Sequence, residues 1–302
     1  MIALLAATAI PPFSPNLLVD VREILRYDFM RYALLAGSAT AVTAGMVGYF
    51  VTLRGLTFAS DALGDFAFPA ALGALLLGVD LRVGLIGITV LVAVVIGLLG
   101  ERVRARDIAV GTVYAWVIGL GVLFLGLYSA TRRGRNGSAG VNILFGSILG
   151  LNRGQAILAA LLGGAVVVAL LLIVRPLLLA SFLPEVAAAR GVPVRVLNIG
   201  FLVLVAVTVA NAVPAVGSLL VFALLVTPAA VAQRLTARPG VGIALAAGIA
   251  LMFVWIGLFV GFYTPLPVSS LITSVAFVTY VVSVLARPIR TRWHSTRSGQ
   301  AA

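Results

Sequence analysis

Long apolar runs fill most of the chain, and short polar or arginine-rich segments separate them. Runs of about 20 apolar residues match the thickness of a bilayer as α-helices, whereas membrane β-strands are about 10 residues long and alternate. The pattern therefore predicts an all-α, polytopic membrane bundle. We place nine spans at roughly 32–53, 56–79, 82–100, 108–128, 156–179, 197–213, 215–233, 241–262 and 268–286.

The segment NAVPAVG, residues 211–217, leaves the number of spans open. Proline and glycine interrupt helices, so this segment is either an exposed turn or a break within a folded-back pair. The sequence therefore predicts eight to nine transmembrane helices.

The ends of the chain differ from the central part. Residues 18–30 carry charges among apolar residues at helical spacing, which predicts an amphipathic helix on the membrane surface. We expect an N-terminal interfacial segment at 1–30, a transmembrane domain at 31–288 and a polar tail at 289–302.

The composition points to lipid as the solvent, with 62% hydrophobic and 10% charged residues and a mean hydropathy of +1.18. The net charge of +12 comes from 21 basic residues, all of them arginine, and most lie between the apolar runs. This placement favours contact with lipid headgroups over nucleic acid.

The arginines also suggest an orientation. The linkers 101–107, 183–195 and 233–240 and the tail from Arg287 fall on one face, which the positive-inside rule makes cytosolic. Arginines near the start and in the loop at 132–135 fall on the other face, so the N-terminal half fits this rule less well.

Missing residue types exclude several functions. The chain has no lysine, which excludes a self-contained P-loop ATPase and a Schiff-base enzyme. It has no cysteine, and its single histidine, His294, lies in the polar C-terminal tail, so thiolate metal sites, HExxH zinc sites and Ser-His proteases inside the membrane are excluded as well. Because the chain has no P-loop lysine, the energy for any active transport must come from elsewhere.

Two acids, Asp61 and Asp65, lie well inside an apolar run. Their spacing of four places both on one helical face, and each charge costs about 2.5 to 3.5 kcal/mol at a helix centre. A cation pathway would offset that cost, and carboxylate oxygens suit Mn²⁺, Fe²⁺ and Zn²⁺. Alternatively, Asp61 snorkels toward the membrane surface or pairs with Arg54, while Asp65 is protonated and hydrogen-bonded between helices.

Several segments together resemble the permease subunits of the zinc and manganese ABC importer family. They are YDFMRYALLAG (27–37), GYFVTLRGLTFASDALGD (48–65), DIAVGTVYAWVIGLG (107–121), VNILFGSILG (141–150), EVAAARGVPV (185–194) and AVGSLLVFALLVTPAAVAQRL (215–235). The resemblance implies a type II ABC importer-like fold in the plasma membrane. It further implies a non-enzymatic transport subunit with no permanently bound cofactor, which carries Mn²⁺ or Zn²⁺. The implied partners are a second copy of the chain, a cytosolic ATPase dimer that uses ATP, and an extracytoplasmic metal-binding protein.

Family members commonly carry Asp, three residues, then His in the second span, and both side chains are implicated in the metal path. Asp61 matches the family aspartate, whereas Asp65 stands in place of the histidine. A carboxylate in place of an imidazole favours harder metals, so manganese is favoured over zinc or iron.

Residues 184–195 resemble the coupling helix through which such permeases contact their ATPase. Glu185 suits a helix start, Ala187 to Ala189 offer a small surface, and Gly191 would end the helix. We expect Glu185, Ala188 and Gly191 to take part in coupling, although an ordinary interfacial loop helix is the alternative.

Three polar residues of the late spans, Asn211, Ser218 and Thr227, are further candidates for the pathway or are hydrogen-bonded within the bundle.

Two other classes compete with the importer. Acids in broken helices also serve ion-gradient-driven secondary transporters. Tyr27-Asp28 and Leu63-Gly64-Asp65-Phe66 echo the signatures of intramembrane aspartyl proteases. However, position 62 is Ala rather than Gly, Asp28 is at the membrane edge, and the expected PAL element is missing.

Overall fold

The computed structural model describes residues 24–99, 103–130 and 144–298, and this part of the chain contains helices and no strand. The α-helices are α1 Asp28–Leu53, α2 Thr57–Asp65, α3 Ala67–Leu77, α4 Leu81–Leu99, α5 Val103–Ala130, α6 Arg153–Phe182, α7 Pro184–Ala189, α8 Val194–Val216, α9 Ser218–Leu235, α10 Pro239–Tyr263 and α11 Val268–Ser298. A short 3₁₀ helix, Ile148–Gly150, precedes α6.

The helices confirm the predicted all-α membrane bundle. Each of the nine predicted spans corresponds to helical structure, and the span predicted at 241–262 is α10, Pro239–Tyr263. Among the described residues, eight candidate spans are long and apolar enough to cross a membrane, and Leu220–Leu235 of α9 forms a shorter apolar helix. The predicted N-terminal segment lies outside the described residues up to position 23, and α11 continues into the predicted tail as far as Ser298.

Helix α1 packs against α6, α8, α9 and α10 at the centre of the bundle. Glycine makes the crossings close, because an added Cβ at Gly48 would lie 1.8 Å from the carbonyl oxygen of Leu225 on α9. At Gly45 it would lie 2.6 Å from the carbonyl oxygen of Ala246 on α10. Small residues that allow helix backbones to approach are typical of membrane helix packing, where apolar burial alone drives little association.

Helices α8 and α9 are joined by the single buried residue Gly217. Its φ of 93° and ψ of 152° are accessible essentially only to glycine. The backbone N–H of Ser147 donates to the carbonyl of Pro214 at 3.2 Å, so the segment before α6 covers this junction. The NAVPAVG segment is therefore a buried break in a folded-back helix pair, one of the two arrangements that the sequence left open.

Candidate metal-ion site

The second span is broken beside its acidic pair. The span predicted at 56–79 corresponds to the candidate span Thr57–Leu77, which is interrupted at the buried residue Phe66, between the end of α2 at Asp65 and the start of α3 at Ala67. Pro69 has no N–H and so cannot donate to the carbonyl of Asp65, four residues earlier. The carbonyl of Asp65 therefore lacks its helical hydrogen bond, while Phe66 keeps an αR backbone and the N–H groups of Phe66 and Ala70 donate to the carbonyls of Ala62 and Phe66.

Asp61 and Asp65 lie one turn apart on α2 and differ in environment. Asp61 is exposed at the surface of the single chain, whereas Asp65 is half-buried. Tyr114 of α5 donates a hydrogen bond from its hydroxyl to Oδ2 of Asp65 at 2.8 Å. The ring of Tyr114 also contacts the ring of Phe66, with 5.8 Å between the centroids. Helix α5 therefore holds one of the two carboxylates in place.

Arg54 does not form the ion pair that the alternative interpretation assigned to it. Within the described ranges, neither Asp61 nor Asp65 has an arginine at ion-pairing distance. The guanidinium of Arg54 donates to Oδ1 of Asn198 and lies 5.4 Å from the ring centroid of Phe201, both on α8. The other half of that interpretation, a hydrogen bond from Asp65 to another helix, corresponds to the contact with Tyr114.

One copy of the chain offers few metal ligands. Across the residues that the structure describes, no group of three or more His, Cys, Asp and Glu side chains could hold a metal ion. Two carboxylates on one helix face can supply part of a coordination shell, and waters or a second copy would have to supply the rest. The exposure of Asp61 leaves that side chain accessible to such additional ligands.

The three weaker pathway candidates lie on α8 and α9. Asn211 is buried and donates through Nδ2 to the carbonyl of Ala159 on α6 at 3.1 Å, so it serves packing between helices. Ser218 is buried at the start of α9, where its carbonyl lies 3.4 Å from the position of an added Cβ on Gly64 of α2. Thr227 is half-buried in α9. Ser218 therefore lies beside α2, the helix that carries the acidic pair.

Helix α7 corresponds to the predicted coupling helix. It has Pro184 at its first position and exposed Glu185 in its first turn, where the helix dipole favours an acid. Ala188 and Ala189 are exposed, whereas Ala187, which was expected to contribute to the same surface, is buried.

A Schellman motif ends α7. The N–H of Gly191 donates to the carbonyl of Ala188 and the N–H of Val192 to that of Ala187, each at 3.0 Å. Gly191 has a φ of 78°, as the motif requires, and an added Cβ there would meet nothing within 4 Å. The end of the helix therefore depends on glycine for its backbone conformation and not for space.

The model of the ABC 3 transport family matches residues 26–287. The chain belongs to the ABC 3 transport family. It is 31% identical over 236 residues to the "Manganese transport system membrane protein MntC" of Halalkalibacterium halodurans, a match that covers 77% of the chain and 78% of that protein.

Other members of the ABC 3 transport family agree over more of the chain. The "Manganese import system permease protein ScaB" of Streptococcus parasanguinis is 28% identical over 264 residues, covering 87% of the chain and 92% of that protein. The solved structure titled "PsaBC from Streptococcus pneumoniae in complex with Fab" matches with a TM-score of 0.77 and 26% identity, covering 89% of the chain and 95% of that structure. The resemblance inferred from the sequence is thereby confirmed.

Membership of the ABC 3 transport family defines the class of the protein. The chain is a multi-pass plasma membrane permease subunit of an ABC transporter, and ATP hydrolysis belongs to a separate subunit. The secondary-transporter and protease alternatives are not favoured by these matches.

Sequence reasoning missed Tyr114 as a member of the site. It lies 49 residues from Asp65 along the chain, within a segment that was noted only for its family resemblance. The break at Phe66 had a readable signal in Pro69, whose missing N–H weakens a helix one turn earlier.

Proposed function

We propose that this chain is the permease of an ATP-driven importer of divalent transition-metal ions, with manganese favoured over zinc or iron, and that Asp61 and Asp65 line its path. The names of the relatives support manganese, because MntC and ScaB are both named for its transport. A site of carboxylate oxygens with no imidazole suits a hard ion such as Mn²⁺. The ion is cargo, and no permanently bound cofactor is proposed.

The arrangement of α2 carries this proposal. Asp61 and Asp65 lie on one face, at the C-terminal end of a helix that breaks inside the bundle. Within the described residues they have no arginine partner, and they would repel one another if both were ionised without a counter-ion. A passing divalent cation supplies that counter-ion and can leave again, because the two carboxylates supply only part of its coordination shell.

The proposed assembly places the ion between two copies of the chain. The exposed Asp61 faces outward from a single copy, so a second copy can add its own carboxylates. An extracytoplasmic metal-binding protein delivers the ion, and a cytosolic ATPase dimer binds α7 of each permease. ATP-driven movement of the ATPases through residues 184–195 then changes the side of the membrane to which the site opens.

The proposal is tested by uptake of radioactive manganese into liposomes that contain the purified permease with its ATPase and binding protein. The variant Asp65→Asn keeps the size of the side chain and its hydrogen bonding but removes the charge. We expect uptake to fall roughly tenfold or more, because even supporting residues of metal sites contribute 10- to 100-fold. Asp61→Asn should behave similarly.

Asp28→Asn is the matched control, since this acid is exposed at the start of α1 and pairs with Arg31 at 3.4 Å. It should leave uptake unchanged. Normal uptake by Asp65→Asn and Asp61→Asn would remove the acidic pair from the mechanism. Uptake that continues without ATP or the ATPase would instead support a gradient-driven transporter.

A further inference from the structure

Tyr114 is the one side chain within the described ranges that donates a hydrogen bond to Asp65, through a contact of 2.8 Å between its hydroxyl and Oδ2. We propose that Tyr114 is a positioning residue, whose hydroxyl fixes the Asp65 carboxylate in the orientation that receives the transported ion. This inference rests on the proposed function and adds a residue of α5 to a site otherwise built on α2.

The position of Asp65 explains why it needs such support. It is the last residue of α2, and the helical hydrogen bond to its carbonyl is prevented by Pro69. Tyr114 belongs to a 28-residue helix that packs against both α2 and α3, so it can hold the carboxylate from outside the break.

The hydrogen bond from Tyr114 also distinguishes the two carboxylate oxygens of Asp65. The hydroxyl of Tyr114 engages Oδ2, so the favoured arrangement directs Oδ1 toward an ion. A hydrogen bond to an ionised carboxylate is roughly twice as strong as a neutral one and fixes the orientation of the group. Partners of this kind behind metal ligands typically contribute 10- to 100-fold in affinity or activity.

Tyr114 makes two contacts that substitution can separate. Its hydroxyl contacts Asp65, while its ring contacts Phe66 with 5.8 Å between the centroids. Tyr114→Phe removes the hydroxyl and keeps the ring, whereas Tyr114→Ala removes both. Tyr280→Phe is a matched control, because it also removes a hydrogen-bonded hydroxyl. The hydroxyl of Tyr280 accepts a hydrogen bond from the guanidinium of Arg234 at 3.2 Å.

The experiment titrates Mn²⁺ alone into the complete transporter, two copies of the permease with their ATPases, in lipid nanodiscs and measures unbound Mn²⁺ by its electron paramagnetic resonance signal. Thermal unfolding of each variant is followed in parallel. We expect Tyr114→Phe to raise the dissociation constant for Mn²⁺ about tenfold or more with an unchanged midpoint of unfolding. Tyr114→Ala should weaken binding to a similar extent and also lower the midpoint, and Tyr280→Phe should bind as the wild type does.

Two results would overturn the inference while leaving the proposed function intact. One is wild-type affinity in Tyr114→Phe when Asp65→Asn binds weakly. The other is weak binding in Tyr114→Ala alone, which would assign the effect to the ring. If Asp65→Asn binds Mn²⁺ as well as the wild type, the acidic site itself is wrong and the role of Tyr114 falls with it.

Discussion

Replacing Gly191 by alanine tests whether α7 transmits movement from an ATPase. Gly191 has a φ of 78°, and its added Cβ would meet nothing within 4 Å, so the substitution creates backbone strain without a steric clash. A left-handed backbone conformation costs a residue with a Cβ roughly 1 to 2 kcal/mol. That cost lowers the population of the correctly ended helix by a factor of about 5 to 30 relative to an opened form.

Gly78→Ala is the matched control for this strain. Gly78 has a φ of 68° and equally open surroundings, but it lies between α3 and α4. The start of α4 contacts the start of α6, since Arg82 donates to the carbonyl of Gln155 at 3.0 Å. Helix α7 follows the other end of α6, so the two glycines lie at opposite ends of the bundle.

The assay measures ATP hydrolysis and manganese uptake together in liposomes that contain the complete transporter. Gly191→Ala should reduce the number of ions imported per ATP hydrolysed several-fold, because an altered helix end transmits the ATPase movement less well. Gly78→Ala should keep the wild-type ratio despite similar strain. An unchanged ratio in Gly191→Ala, or an equal loss in both variants, would refute the assignment of α7 as the coupling helix.

Two further predictions concern packing. Gly48→Ala should reduce the amount of folded protein in the membrane severalfold, measured as detergent-solubilised yield, because its Cβ would lie 1.8 Å from the Leu225 carbonyl oxygen. The control Gly87→Ala should fold normally, since its Cβ meets nothing within 4 Å, and equal yields would contradict the close helix crossing at Gly48. Gln233→Leu should lower the free energy of unfolding by about 1 to 3 kcal/mol in a thermal or denaturant unfolding assay. The side-chain amide of Gln233 donates to the carbonyl of Tyr49 at 3.0 Å and to the hydroxyl of Thr52 at 2.6 Å, and each hydrogen bond contributes about 0.5 to 1.5 kcal/mol. An unchanged free energy of unfolding would contradict this role.

Much of the fold followed from apolar run length, because lipid imposes a nearly fixed length on every span. The interior breaks were harder to predict. A hydropathy pattern does not distinguish a continuous helix at 56–79 from two helices that meet at Phe66, since the same apolar residues occur in both. The junction at Gly217 was readable as a break because proline and glycine stand close together there, but the segment that covers it was not.

The acidic pair could be singled out from the sequence because a charge in an apolar run is rare and costly, and its role in a metal path stays a prediction. Its surroundings could not, because hydrogen bonds between distant helices leave no local pattern. The contact of Tyr114 with Asp65 and that of Arg54 with Asn198 both depend on how the helices pack. The burial of Ala187 beside exposed Ala188 likewise depends on the angle at which α7 meets the bundle.

Locating a bound Mn²⁺ ion tests the central claim most directly. Anomalous X-ray scattering at the manganese absorption edge, from crystals of the complete transporter grown with Mn²⁺, would show where the ion lies. We predict a peak in contact with carboxylate oxygens of Asp61 and Asp65, between two copies of the chain. Manganese bound elsewhere in the membrane domain, with both side chains facing lipid, would contradict it.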